Sequence, residues 1–152
     1  MAIARVSPVG PSRRRFSVGD DYAMAGAGVF EPGERVELIE GEIYQMAPIR
    51  PRHGYSTDVL GNELKERLGR LVRVRVQGPL RLDDGSEPEP NLVLLRPHSD
   101  GFRGRHPTPG DVLLLVEVSD TTLAFDRSRK LLLYAPADIP EVWIVNLVFG
   151  RA

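Results

Sequence analysis

The chain of 152 residues contains no cysteine, which excludes disulfides, iron–sulfur clusters and cysteine-ligated zinc. Lysine is almost as scarce: of 20 basic side chains only Lys65 and Lys130 are lysine, the other 18 being arginine. Long apolar runs are missing too, since none approaches the roughly 18 residues a membrane helix needs. The N-terminal MAIARVSPVG lacks the apolar core of a secretory signal. Neither sign of charge dominates, 20 basic against 21 acidic groups giving a net charge of −1, so any binding of nucleic acid must be local rather than that of a polycation. These absences point to a cytoplasmic protein with no membrane partner. What is present, 41% hydrophobic and 27% charged residues, matches a soluble globular protein long enough to bury one real core.

Residues 1–15 (MAIARVSPVGPSRRR) mix proline, serine and three arginines without periodicity, the pattern of a disordered arm ahead of a single domain over 16–152. RVELIEGEIYQM (35–46) alternates on either side of Glu40-Gly41 and predicts a β-hairpin. YSTDVLGNELKERLGRL (55–71) spaces Val59, Leu60, Leu64, Leu68 and Leu71 as one face of a helix. VRVRVQGPLRL (72–82) alternates valine with arginine as a strand does. NLVLL and DVLLLVEVSD are continuous apolar runs, as expected of strands buried on both faces. TTLAFDRSRKLLLYA reads as a helix ended by Pro136, and EVWIVNLV as a last strand. The order is hairpin, helix, three strands, helix, strand: an α/β layered domain with helices on opposite faces of a small mixed sheet.

Two polar residues break the apolar strands. Glu117 interrupts VLLLVEVS, where an ionised carboxylate costs several kcal/mol unless a cation or donors compensate it. Its candidate partners are a divalent metal or Lys130 on the following helix, the simpler alternative being a structural ion pair. Asn91 opens the neighbouring apolar run, so on adjacent strands both side chains would emerge at one end of the sheet. Oxygen donors of this kind with a lysine nearby are what magnesium-assisted phosphodiester hydrolysis requires, because carboxylates hold the hard cation and the lysine steadies developing charge. Read only as a turn former, Asn91 needs no such role.

RVELIEGEIYQMAPIRPRHG, EPEPNLVLLRP, DVLLLVEVSDTTLAFDRSRKLLLYA and IPEVWIVNL, taken in that order, resemble the Uma-two family of endonucleases, which have the restriction-endonuclease-like PD-(D/E)XK fold. The likeness spans about residues 16 to 148. It implies a core of helix, three strands, helix and strand, dependence on Mg2+ (or Mn2+), and hydrolysis of DNA. By that resemblance Pro90-Asn91 occupies the place of the motif's Pro-Asp, Glu117 is the acidic residue of the next strand, and Lys130 is the lysine, displaced onto the helix because Ser119 fills the usual slot. Glu117, Asn91 and Val118 form the implied metal-binding set. Glu37, Glu42 and His53 match a neighbouring motif, and Glu42 is taken as an additional site carboxylate.

Asparagine at 91 removes one negative charge from a site that holds its metal chiefly by charge. Engineered inactivation, natural loss of cleavage, or a charge rebuilt from Glu87, Glu89 or Glu42 would each account for it. Arg67, Arg70, Arg73, Arg75 and Arg81 lie in a stretch without an acidic residue and make a candidate phosphate track, the competing reading being a solvated helix end and sheet edge; His53 is a further candidate nucleic-acid contact, lining the site. Tyr134 and Trp143 read as packing residues. The family usually continues past VFGRA, so the chain reads as truncated, with an exposed last strand that invites a homodimer. Two classes of function follow: a weakened magnesium-dependent endonuclease, or a non-catalytic nucleic-acid-binding or dimerising module on the same scaffold.

Overall fold

The computed structural model describes residues 10–148. The expected arm lies mostly before them, and the last residues of VFGRA lie after them. Where the arm is described it crosses the hairpin: Phe16 N–H bonds the Gly41 carbonyl at 2.9 Å, and Arg15 pairs with Glu42 at 2.9 Å. Gly41 is required here, since its φ is +75° and a Cβ would lie 2.7 Å from that of Arg15.

A first helix, α1 (Val18–Gly26), was not expected from apolar spacing. Its signal is a cap. Ser17 accepts the Asp20 N–H while Asp20 accepts the Ser17 N–H, so two helix-end donors are satisfied by a serine and an acid three residues apart. The hairpin follows as β1 (Val36–Ile39) and β2 (Glu42–Gln45), closed by Glu40 and Gly41, both at positive φ as a tight two-residue turn demands. Next comes α2 (Pro51–Leu68), four residues longer at its start than the spacing predicts because Pro51 suits the first helical turn.

The main sheet has the order β3 (Arg73–Val76), β4 (Leu92–Leu95), β5 (Val112–Ser119), β6 (Val142–Asn146). The first three strands are antiparallel and β6 runs parallel to β5. The strand expected over 72–82 stops at Val76, where Gln77 turns to positive φ ahead of Gly78-Pro79. Between β5 and β6 one helical stretch runs through α3 (Leu123–Phe125), a π-helical turn over Asp126–Lys130, and α4 (Leu131–Tyr134).

The two faces of the sheet bury separate cores. Leu92, Leu94, Val116 and Val118 pack on Leu60, Leu64 and Leu68 of α2. That helix comes close because Gly61 has no side chain; a Cβ would sit 3.2 Å from Leu92. Val93, Leu95 and Leu115 pack on the opposite face with Ile39 of the hairpin and Leu133 and Tyr134 of α4. The expected layering is therefore present, and it leaves the second face to be shared by the hairpin and the late helix.

Candidate active site

In the β4–β5 ladder Leu92 pairs with Val116, so the next step of the antiparallel register sets Asn91 opposite Glu117. Both side chains share the face that carries Val93 and Leu115, and both line one cavity of about 60 Å³. Glu37, His53, Val118 and Lys130 line it as well. The end of the sheet thus gathers Asn91, Glu117, Val118, Lys130 and His53 from four separate segments.

Lys130 reaches the cavity from the end of the π-helical turn, where the extra residue per turn rotates a side chain inward. Its ammonium lies 3.2 Å from Glu117 Oε1 and 3.0 Å from Glu37 Oε2, donating to Glu37 Oε1 at 3.2 Å. All three groups are buried. Burial alone would lower the lysine, but the carboxylates of Glu117, Glu37 and Asp126 outweigh it and raise its pKa, so the ammonium keeps its proton at neutral pH. Burial pushes the Glu117 and Glu37 carboxyls up, with Lys130 opposing in each case. The fully buried Tyr134 hydroxyl donates to Glu117 Oε1 at 2.6 Å. Both polar contacts of Glu117 fall on Oε1, leaving Oε2 without a partner among the described residues.

Each polar atom of the Asn91 amide has one contact. Its Oδ1 accepts the Val118 N–H at 2.7 Å, and its Nδ2 lies 3.2 Å from His53 Nε2. Asp126, buried beside the cavity, accepts from Ser119 at 2.5 Å and Thr122 at 2.7 Å. Glu89 also lines the cavity, and burial raises its carboxyl. Among the described residues no three His, Asp or Glu side chains converge closely enough to hold a metal by themselves.

Other expected residues lie elsewhere. Glu42 stands at the turn end of the hairpin, outside the cavity, held by Tyr44 at 2.8 Å and by Arg15 and Arg129. The open end of the same hairpin is what meets the cavity, and it brings Glu37 instead. Glu87 is taken by Tyr22 at 2.6 Å and Arg81 at 2.7 Å. Arg70 lies in the turn after α2, and Arg73 and Arg75 on the edge strand; none lines the cavity, and Arg75 is bonded to His106 at 3.2 Å. The arginines that do line it are Arg35 and Arg50. Sequence reasoning missed these two, the structural part of Tyr134, and Asp126. The signal for Asp126 is a second carboxylate four residues before Lys130.

This α/β layering is a restriction-endonuclease-like architecture. A solved structure titled as a putative nuclease belonging to DUF820 from Anabaena variabilis shares it: the TM-score is 0.61 at 11% identity, over 86% of this chain and 74% of that one. The model of the Uma2 family, described as "Putative restriction endonuclease", matches residues 20–151, and the chain belongs to that family. None of the curated proteins matches it.

Proposed function

We propose that this protein is a Mg2+- or Mn2+-dependent endonuclease acting on DNA phosphodiester bonds, weakened by the loss of one charge at position 91. The observation that carries the reading is the Glu117 carboxyl, buried at the cavity with Oε2 unpartnered among the described residues while Tyr134 and Lys130 hold Oε1. Membership of a family so described, and a neighbour of the same fold, support hydrolysis as the reaction class.

The donor set suits a hard cation of a particular kind. Glu37 and Glu117 face a single buried ammonium and Asp126 is buried close by, so carboxyl groups outnumber the cation at the pocket. Magnesium uses one or two carboxylates and completes its shell with water and phosphate oxygens. These residues fit such an ion, with Glu117 and Val118 as its protein contacts and Asn91 one charge short of the usual set. When bound, the dication polarises the phosphate and lowers the pKa of its water.

The remaining work falls to the chain itself. Lys130, held protonated, stabilises negative charge on the phosphate rather than acting as a base. Glu37 and Tyr134 fix the positions of Lys130 and Glu117. Arg35 and Arg50 are the phosphate contacts nearest the cavity. One observation favours a second reading, that of a non-catalytic DNA-binding module: Asn91 Oδ1 is already spent on the Val118 N–H. Nicking of supercoiled plasmid with Mg2+ or Mn2+ separates the two. Slow nicking that disappears in EDTA and in Glu117→Gln is expected. DNA binding with no nicking in either metal would establish the second reading.

A further inference from the structure

Asp126 is only 3% exposed, yet half of its carboxylate is unused. Ser119 donates to Oδ2 at 2.5 Å and Thr122 to the same oxygen at 2.7 Å, so two hydroxyls fix the group while Oδ1 has no donor among the described residues. That oxygen is not sealed off. Among the described residues the enclosed side-chain atoms without a hydrogen-bond partner are Asp21 Oδ1, Glu37 Oε2 and His53 Nδ1, so Asp126 Oδ1 and Glu117 Oε2, equally unpartnered, keep surface that water can reach. Both side chains line the same cavity, which gives that surface its direction.

The backbone beside them offers a third oxygen. Leu115 N–H bonds the Glu141 carbonyl and the Ser119 carbonyl accepts the Leu147 N–H, both on the β6 side, so the alternate residue Val118 turns its N–H and carbonyl towards β4. There the Leu92–Val116 register runs on to Pro90, which has no N–H to give. The Val118 N–H turns to Asn91 Oδ1 instead, and its carbonyl is left without a ladder donor. Ser119, the next residue, is one of the two that hold Asp126, so the free carboxylate oxygen stands at the same strand end.

We propose that Asp126 holds the divalent cation through Oδ1, in company with Glu117 Oε2 and the Val118 carbonyl. The proposal deepens the nuclease reading and rests on its cation. Hard cations take oxygen ligands, and magnesium is commonly held by one or two carboxylates with water in the remaining places. With an amide at 91, Glu117 would be the only carboxylate contact; Asp126 adds a second. Glu37 cannot serve in the same way, because Lys130 lies against both of its oxygens. Glu89 and Asp120 also line the cavity, but no hydroxyl pair among the described residues fixes either carboxylate as Ser119 and Thr122 fix Asp126.

The test is a titration of the full chain with Mn2+, free ion being followed by electron paramagnetic resonance with no nucleic acid present. Asp126→Asn keeps an oxygen for the two hydroxyls and replaces the free oxygen with an NH2 group, so it should fold as the wild type does by circular dichroism. Its Mn2+ affinity should fall by at least about tenfold, the least that loss of a metal-site contact costs. Because the chain has no cysteine, Asp126→Cys introduces a single thiol, and stoichiometric Cd2+ should produce the ultraviolet charge-transfer band of a bound thiolate. Ser128→Cys, exposed on the same helical stretch, should give none. A wild type that binds no Mn2+, an Asp126→Asn variant with wild-type affinity, or an Asp126→Cys variant as silent towards Cd2+ as Ser128→Cys would overturn the proposal. Cleavage is scored apart from these readings: nicking with Mn2+ affinity unchanged in Asp126→Asn would sink this proposal alone, whereas Mn2+ held through Asp126 without nicking would sink the hydrolase reading alone.

Discussion

The ammonium of Lys130 lies 3.2 Å from Glu117 Oε1, on a buried strand, and 3.0 Å from Glu37 Oε2 of the hairpin. One cation thus joins the two parts of the fold that share the second face of the sheet. Removing one partner of a buried ion pair leaves uncompensated charge and costs roughly 3–5 kcal/mol. Lys130→Met should therefore be destabilised by about that amount in urea at pH 7. Part of the loss should return at pH 5, where Glu37 and Glu117, already raised by burial, take up protons. An equal loss at both pH values would show that the carboxyls are not the source.

The alkaline limb tests the same cluster from the other side. The folded pKa of Lys130 lies above its ordinary value of 10.5, so its contribution is complete below pH 10.5 and is lost as pH rises through the folded value. Glu37 and Glu117, raised above 4.5, favour folding most below pH 4.5 and do so less as pH rises through their folded values. Denaturation midpoints of the wild type should fall above pH 10.5, and those of Lys130→Met should lack this lysine-linked fall. A flat wild-type profile would contradict the pairing.

Tyr134 is buried, and its hydroxyl serves Glu117 at 2.6 Å. Tyr134→Phe keeps the ring and deletes that donor, so about 1.5–3 kcal/mol of stability should be lost, the range for a hydrogen bond to a charged group. Denaturant melts of the two forms measure it directly. A change below a few tenths of a kcal/mol would show that Glu117 does not depend on the hydroxyl.

Two sets of arginines give opposite expectations for binding. Arg35 and Arg50 line the cavity, whereas Arg70 lies away from it in the turn after α2. Fluorescence anisotropy with duplex DNA should show weaker binding and a shallower salt dependence for Arg50→Ala, by about one unit of slope, and little change for Arg70→Ala. The reverse order would restore the arginine stretch after α2 as the phosphate track.

Much of this was legible in the residues. The apolar runs of β4 and β5 announced buried strands, and a lone glutamate and a lone asparagine within them marked the end of the sheet where the cavity lies. Lys130 stood out because arginine serves nearly everywhere else. Neither alternation nor the motif likeness that names Glu42 reveals which end of the hairpin meets the sheet; the open end does, and it brings Glu37 to the lysine. The π-helical turn that swings Asp126 and Lys130 inward has no period in the sequence. Helix α1 was missed because its determinant is a serine–aspartate cap rather than an apolar stripe.

The central claim is that Asn91 leaves a nuclease site one negative charge short. Single-turnover nicking of plasmid in Mn2+ by the wild type and by Asn91→Asp tests it most directly. The account predicts a faster single-turnover rate for Asn91→Asp, because the restored charge holds the dication more tightly. No gain in that rate for Asn91→Asp, with Glu117→Gln nicking as fast as the wild type, would contradict it.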